Sequence, residues 1–271
     1  MRIQLVSPRL SRRPMDSAWK TQMSPPLALL VVGALTPPEH EVALADENVA
    51  RIRFDGTPDL VGITVKADTF HRAQEIAAGY RRRGVRVVFG GIHPTACPDE
   101  CAPHADALVV GEAEDTWPVL LRDAAAGALR RVYRAERPVD LARSPAPRWD
   151  LLDARRYLFT NTLCIARGCP WVCDFCYSSS PNVVRGHRRK PAENVLREIA
   201  SLGTDHVMFI DDNFIGDPAA ARDLVARLGP LGLTWHCAVS ADVGRHGDLI
   251  ERMAAAGWRS LLIGVEPVHE R

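Results

Sequence analysis

The feature that most constrains this chain is an alternation of short, near-continuous apolar runs with longer amphipathic stretches. The runs at Ile3–Val6, Glu41–Ala45, Leu60–Val65, Val85–Phe89 and Ala107–Val110 fit strands of a parallel sheet covered on both faces. Between two of them, Phe70 to Arg83 reads as a helix. Ala73, Ile76, Ala77 and Tyr80 share one face, Thr69 is placed to cap its start, and Gly84 follows a basic last turn. A second helix is expected from Glu114 to Ala125. This alternation predicts a doubly wound, flavodoxin-like α/β domain over residues 1–135. Ligands of such sheets sit beyond the carboxyl ends of the strands.

Pro138, Pro145 and Pro147 mark a linker over residues 136–158. A second α/β region, residues 159–271, then begins. Its expected strands are Thr162–Ala166, His206–Ile210, Trp235–Val239 and Ser260–Ile263. Helices follow near Pro191, after Asp217-Pro218 and over Asp248–Ala256. Each strand leads into a loop with polar residues, the pattern by which a β/α barrel gathers its chemistry at one mouth. The bland role for such acidic residues is capping the next helix, and Asp217 is read that way.

Cys169, Cys173 and Cys176 follow the first strand of this region as Cys-x3-Cys-x2-Cys, with Phe175 just ahead of the last cysteine. Three thiolates this close can wrap one soft metal centre. On a 4Fe–4S cluster they leave one iron open, whereas electron-carrier ferredoxins ligate every iron with cysteine. The competing reading is a zinc knot completed by a residue such as His187, although zinc knots usually draw ligands from two separated pairs.

A net charge of +1 gives no global attraction to nucleic acid or to an anionic membrane. The apolar run Leu27 to Leu35 is too short to span a bilayer, and the first residues lack a signal-peptide pattern. Seven unevenly spaced cysteines do not make a disulfide framework, so a reducing cytoplasm is expected. Cys97 and Cys101, also spaced Cys-x3-Cys, could hold part of a second metal site but read as ordinary thiols. The basic run Arg185, His187, Arg188, Arg189 and Lys190 reads by default as a solvated face or helix-leading loop.

The cysteine stretch resembles the radical SAM enzymes. The resemblance implies a 4Fe–4S cluster on Cys169, Cys173 and Cys176, with the open iron chelating S-adenosylmethionine. The loops Gly90-Gly91-Ile92-His93-Pro94-Thr95 and Gly111-Glu112-Ala113-Glu114 resemble those of the cobalamin-binding domain found upstream of many such enzymes, as does Thr64 after the third strand. Thr64, Gly90, Gly91, His93, Gly111 and Glu112 are then the implied cobalamin contacts. Asn48 occupies the place of the histidine that ligates cobalt in many cobalamin domains, so bound cobalamin is expected to have no histidine on its lower face. The order of Cys-x3-Cys-x2-Cys, Asp-Asp-Asn-Phe and Gly-Val-Glu resembles the cobalamin-dependent radical SAM branch. It places Phe175 beside adenine, Glu266 near the ribose, Asp212 at the methionine end and Ser240 among the S-adenosylmethionine contacts. The family's Gly-Gly-Glu motif after the second strand is absent.

The implied activity is reductive cleavage of S-adenosylmethionine and methylation of an unactivated carbon of a small molecule, with a flavodoxin or ferredoxin as reductant. Radical cyclisation or rearrangement would use the same parts. An iron–sulfur carrier or sensor would need a fourth cysteine, Cys164 or Cys237. A non-catalytic cobalamin-binding fragment is a further class. Four expected strands before Arg271 imply a partial barrel, from a fragment, a split gene or a truncated form.

Overall fold

The computed structural model describes residues 1–11, 14–17 and 22–264. They divide into two units, Met1–Thr160 with Ser180–Val184 and Asn161–Ser179 with Arg185 onward.

The first unit runs β1 (Arg2–Ser7), α1 (Leu27–Leu35), β2 (Glu41–Asp46), β3 (Leu60–Thr64), α2 (Phe70–Arg81), β4 (Arg86–Gly90), α3 (Ile92–Ala96), α4 (Pro98–Cys101), β5 (Ala107–Val110), α5 (Ala113–Ala125) and β6 (Val132–Arg134). Among the described residues its six strands form one sheet in the order β2-β1-β3-β4-β5-β6, every pairing parallel. Successive side chains leave a strand on opposite faces. Val87 and Phe89 therefore join the core under α2 and α4, while Val88 joins Leu29, Trp117 and Leu120 under α1 and α5. This two-sided burial is why the strands read as continuous apolar runs.

Three details add to the expected pattern or differ from it. The apolar run Leu27–Leu35 is a helix. Thr69 does not cap α2: its hydroxyl accepts the Lys66 N–H and donates to the Lys66 carbonyl, closing the preceding turn. The edge strand β6 went unforeseen, because only Tyr133 of its three residues is buried. Its phenol donates to Asp123 at 2.9 Å.

The second unit contains β7 (Thr162–Leu163), β8 (Ala166–Arg167), β9 (Arg188–Arg189), α6 (Ala192–Leu202), β10 (His206–Phe209), α7 (Pro218–Leu228), β11 (Thr234–Val239), α8 (Gly247–Ala255) and β12 (Trp258–Ile263). Among the described residues a four-stranded parallel sheet has the order β12-β11-β10-β7, and β8 pairs antiparallel with β9. Phe209, Phe214 and Trp235 form its aromatic centre, with ring centroids 5.2–5.7 Å apart. Asp217 caps α7 by accepting the N–H groups of Ala219 and Ala220. On the edge strand β12, Leu262 is 72% exposed.

The expected strand Thr162–Ala166 is broken in two. The Asp211 carboxylate takes the N–H groups of Ile165 and Ala166 at 2.9 and 2.5 Å, so they are lost to any ladder. The architecture is a parallel, doubly wound sheet followed by a partial β/α barrel sheet. No helix among the described residues is long and apolar enough to cross a membrane.

Candidate functional site

In the second unit the cysteine loop hangs from the β8–β9 hairpin. The hairpin's waist is tight: Gly168 has φ +80°, and a Cβ there would lie 2.1 Å from the Gly186 carbonyl oxygen. Glycine is the residue that tolerates both conditions. Beyond it, all three loop cysteines are free thiols, Cys173 exposed and Cys169 and Cys176 half-buried. The Cys176 N–H closes a turn on the Cys173 carbonyl at 3.0 Å. Trp171, Val172 and Phe175 line the same loop and stay open, Phe175 being 71% exposed. Apolar side chains gathered on one exposed loop are a surface prepared to be covered.

Ser240, at the end of β11, is the hub beside this loop. Its hydroxyl accepts Trp171 Nε1–H at 3.1 Å and Asn213 Nδ2–H at 2.8 Å, and donates to Asp242. Asn213 is buried, and its Nδ2 lies 4.0 Å from Cys169 Sγ. Asp212 accepts the Tyr177 hydroxyl at 2.8 Å. Burial, then the Asp212 charge, raises the Tyr177 pKa and keeps the phenol protonated as donor. Phe175, Asp212 and Ser240 are thus all on the loop or on strand ends bonded to it, whereas Glu266 lies outside the described residues. Trp171, Tyr177 and Asn213 are site residues that the sequence by itself does not single out. Only their position within the cysteine and Asp-Asp-Asn-Phe motifs signalled them.

The basic run is the segment that leads into α6, with Arg185 exposed, but Arg189 and Lys190 do not lie on a solvated face. Arg189 donates to the Phe214 carbonyl and stacks 5.7 Å over its ring. Lys190 pairs with Glu198 at 2.6 Å, both side chains at least nine-tenths buried. Burial, then Arg189, lowers the His187 pKa. Among the described residues, donor groups of three or more gather within 4.8 Å at His93, Cys97 and Glu100 alone, so the loop thiols do not converge on a single-ion geometry. A cubane sets its cysteines on different irons, which spreads them more widely than one zinc ion does.

In the first unit, the loops beyond β3, β4 and β5 are knitted together. Gly91 has φ +101°, and a Cβ there would meet Thr64 Oγ1 at 3.0 Å and the Val65 carbonyl at 3.1 Å. Val65 N–H bonds the Gly90 carbonyl, and His93 N–H bonds the Val65 carbonyl. Thr95 donates its hydroxyl to the Gly91 carbonyl and accepts the Gly111 N–H at 3.0 Å. Thr64, Gly90, Gly91, His93 and Gly111 are therefore brought to one end of the sheet, with Thr95 an added tie. Glu112 turns its carboxylate to the Val139 N–H at 2.9 Å. The His93 ring packs against Phe70. Asn48 is wholly engaged: it accepts the Leu10 N–H at 2.9 Å and donates to Asp46 and to the Pro8 carbonyl.

Residues 22–121 match the B12 binding domain family, and residues 163–271 match the Radical SAM superfamily. The chain carries a B12-binding domain followed by a radical SAM domain. Over 264 residues it is 29% identical to the bacteriochlorophyllide d C-8(2)-methyltransferase of Chlorobaculum tepidum, covering 90% of this chain and 58% of that protein. It is 28% identical over 259 residues to the hopanoid C-2 methylase of Rhodopseudomonas palustris, covering 89% and 48%. An uncharacterized methyltransferase of Pyrococcus horikoshii is 30% identical over 313 residues, covering 100% and 66%. The chain thus spans about half to two thirds of the length of these relatives. The radical SAM domain places the chain in an enzyme superfamily.

Proposed function

We propose that this chain supplies the cofactor-binding part of an enzyme that methylates an unactivated carbon of a small molecule, using S-adenosylmethionine and cobalamin. The observation that carries the reading is the loop of Cys169, Cys173 and Cys176: three free thiols beyond a sheet edge, flanked by uncovered Trp171, Val172 and Phe175. These residues fit a 4Fe–4S cluster with one open iron. When bound, that cluster supplies the electron for cleaving S-adenosylmethionine, and cobalamin supplies the methyl carrier.

The chain's own residues hold and orient. Cys169, Cys173 and Cys176 would ligate the cluster. Phe175 offers an apolar face to adenine. Asp212 and Ser240 offer acceptors at the ends of adjacent strands, and Glu266 is assigned the ribose. Ser240, by joining Trp171 to Asn213, fixes the loop relative to those strands. Thr64, Gly90, Gly91, His93, Gly111 and Glu112 are the proposed cobalamin-proximal residues. Asn48, committed to Leu10, Pro8 and Asp46, supports a corrin without a protein ligand from that loop. A flavodoxin or ferredoxin is the proposed reductant, and the cytoplasm the proposed compartment, as three free loop thiols suit a reducing environment. Domain limits of 1–135 and 159–271, with a linker between, are proposed on the same grounds.

The test is anaerobic reconstitution with iron and sulfide, then addition of S-adenosylmethionine and dithionite. Formation of 5′-deoxyadenosine supports the reading. Zinc in place of iron, or a cluster whose EPR spectrum ignores S-adenosylmethionine, defeats it.

A further inference from the structure

We propose that His93, Cys97 and Glu100 form a divalent metal site of the zinc class in the first unit, independent of the cysteine loop. His93 lies in the first turn of α3, Cys97 is the non-helical residue that joins α3 to α4 (φ −129°, ψ 64°), and Glu100 lies on α4. The Cys97 N–H bonds the His93 carbonyl at 2.8 Å, which holds the junction against the turn that carries the imidazole. The three donor atoms all lie within 4.8 Å of one another.

The contact between His93 and Glu100 has the character of two ligands rather than of donor and acceptor. His93 Nε2 lies 3.1 Å from Glu100 Oε2. Yet Nε2 is buried and makes no aligned hydrogen bond to that oxygen or to any other atom. A buried ring nitrogen left this way is costly unless something satisfies it. An ion seated between Nε2, Oε2 and the Cys97 sulfur would do so. The imidazole is held in place, its ring 4.6 Å from that of Phe70 and its side chain 12% exposed. Cys97 and Glu100 are exposed, so the fourth position faces solvent.

The donor set selects the metal. Imidazole, thiolate and carboxylate together suit zinc, whereas calcium and magnesium take oxygen. Thiolate and carboxylate neutralise the two charges of the ion, and three protein ligands with one open position is a known zinc arrangement. Cys101 takes no part. It is buried beneath α4, and burial pushes its thiol up to about 12. The sequence pair Cys97 and Cys101 thus divides into a ligand and a core residue. Metal at this site would pin α3 to α4 directly behind the Gly90-Gly91 turn, using only the His93 ring, because the His93 backbone N–H already bonds Val65.

The test uses the full chain with Cys169, Cys173 and Cys176 replaced by alanine, titrated anaerobically with Co(II). One equivalent should bind with a thiolate-to-cobalt charge-transfer band and be displaced by Zn(II). Cys97→Ser should abolish the band. Glu100→Gln should weaken binding by about tenfold or more, the loss seen when a metal site loses even a supporting group. Both positions are exposed, so the fold, checked by circular dichroism, should persist. No saturable uptake, or a band that survives Cys97→Ser, overturns the assignment.

Discussion

The carboxylate of Asp211 accepts the backbone N–H of Ile165 at 2.9 Å, and this bond ends the first strand of the second sheet before the cysteine loop begins. Asp211 is fully enclosed, and burial pushes its pKa up from 3.8 to about 6 against the pull of the two amides and Arg189. A carboxyl whose folded pKa is raised binds its proton more tightly folded than unfolded, so stability falls as pH rises between the two values. Asp211→Asn keeps an acceptor and cannot titrate. Between about pH 4 and 6 the native protein should lose up to about 3 kcal/mol relative to this variant. Urea denaturation of both proteins at pH 4.5 and 7 checks it, and parallel profiles would refute it.

Cys164 and Cys237 are unsuited to complete a closed cluster. Cys164 donates its thiol to the Ala166 carbonyl, and burial raises its pKa steeply. Burial likewise pushes Cys237 up to about 12. Cys164→Ala and Cys237→Ala should leave the iron content and EPR spectrum of reconstituted protein unchanged. Alanine at Cys169, Cys173 or Cys176 should each remove most of the iron.

Gly168→Ala should cost about 3 kcal/mol or more, because positive φ and a backbone clash act together. Gly127 also has positive φ, but nothing lies within 4 Å of its added Cβ. Gly127→Ala should therefore cost only about 1–2 kcal/mol, the left-handed strain alone. Thermal unfolding of the pair separates the two effects.

Asn48→Ala takes the side-chain partner from the Leu10 N–H and the Pro8 carbonyl, while Asp46 keeps the backbone N–H of residue 48, and should cost about 1–3 kcal/mol. EPR of Co(II) cobalamin bound to the native chain should show no nitrogen splitting from a protein histidine. Such splitting would mean that a ring elsewhere, His93 included, reaches the cobalt.

Much of this was readable from the residues. Strands buried on both faces wrote themselves as apolar runs, so β1, β3 and β5 were legible nearly to the residue. The Asp217 cap was legible because capping is local. What misled was non-local. Nothing near Thr162–Ala166 shows that a carboxylate from Asp211 will take two of its amides. Nothing in the run of positive charges from Arg185 shows that Arg189 and Lys190 turn inward, since their partners Phe214 and Glu198 come from later in the chain.

The amino-acid order alone determined the two-part α/β architecture, the three-thiol loop and the glycine-rich turns, because each rests on spacing within a few residues. Tertiary structure decided which polar side chains meet: Ser240 with Trp171 and Asn213, and Asp211 with Ile165. It also separated Cys97 from Cys101, one open beside His93 and the other sealed in the core. Hydrogen bonds and burial depend on distances between segments remote in sequence, and only the folded chain sets those distances.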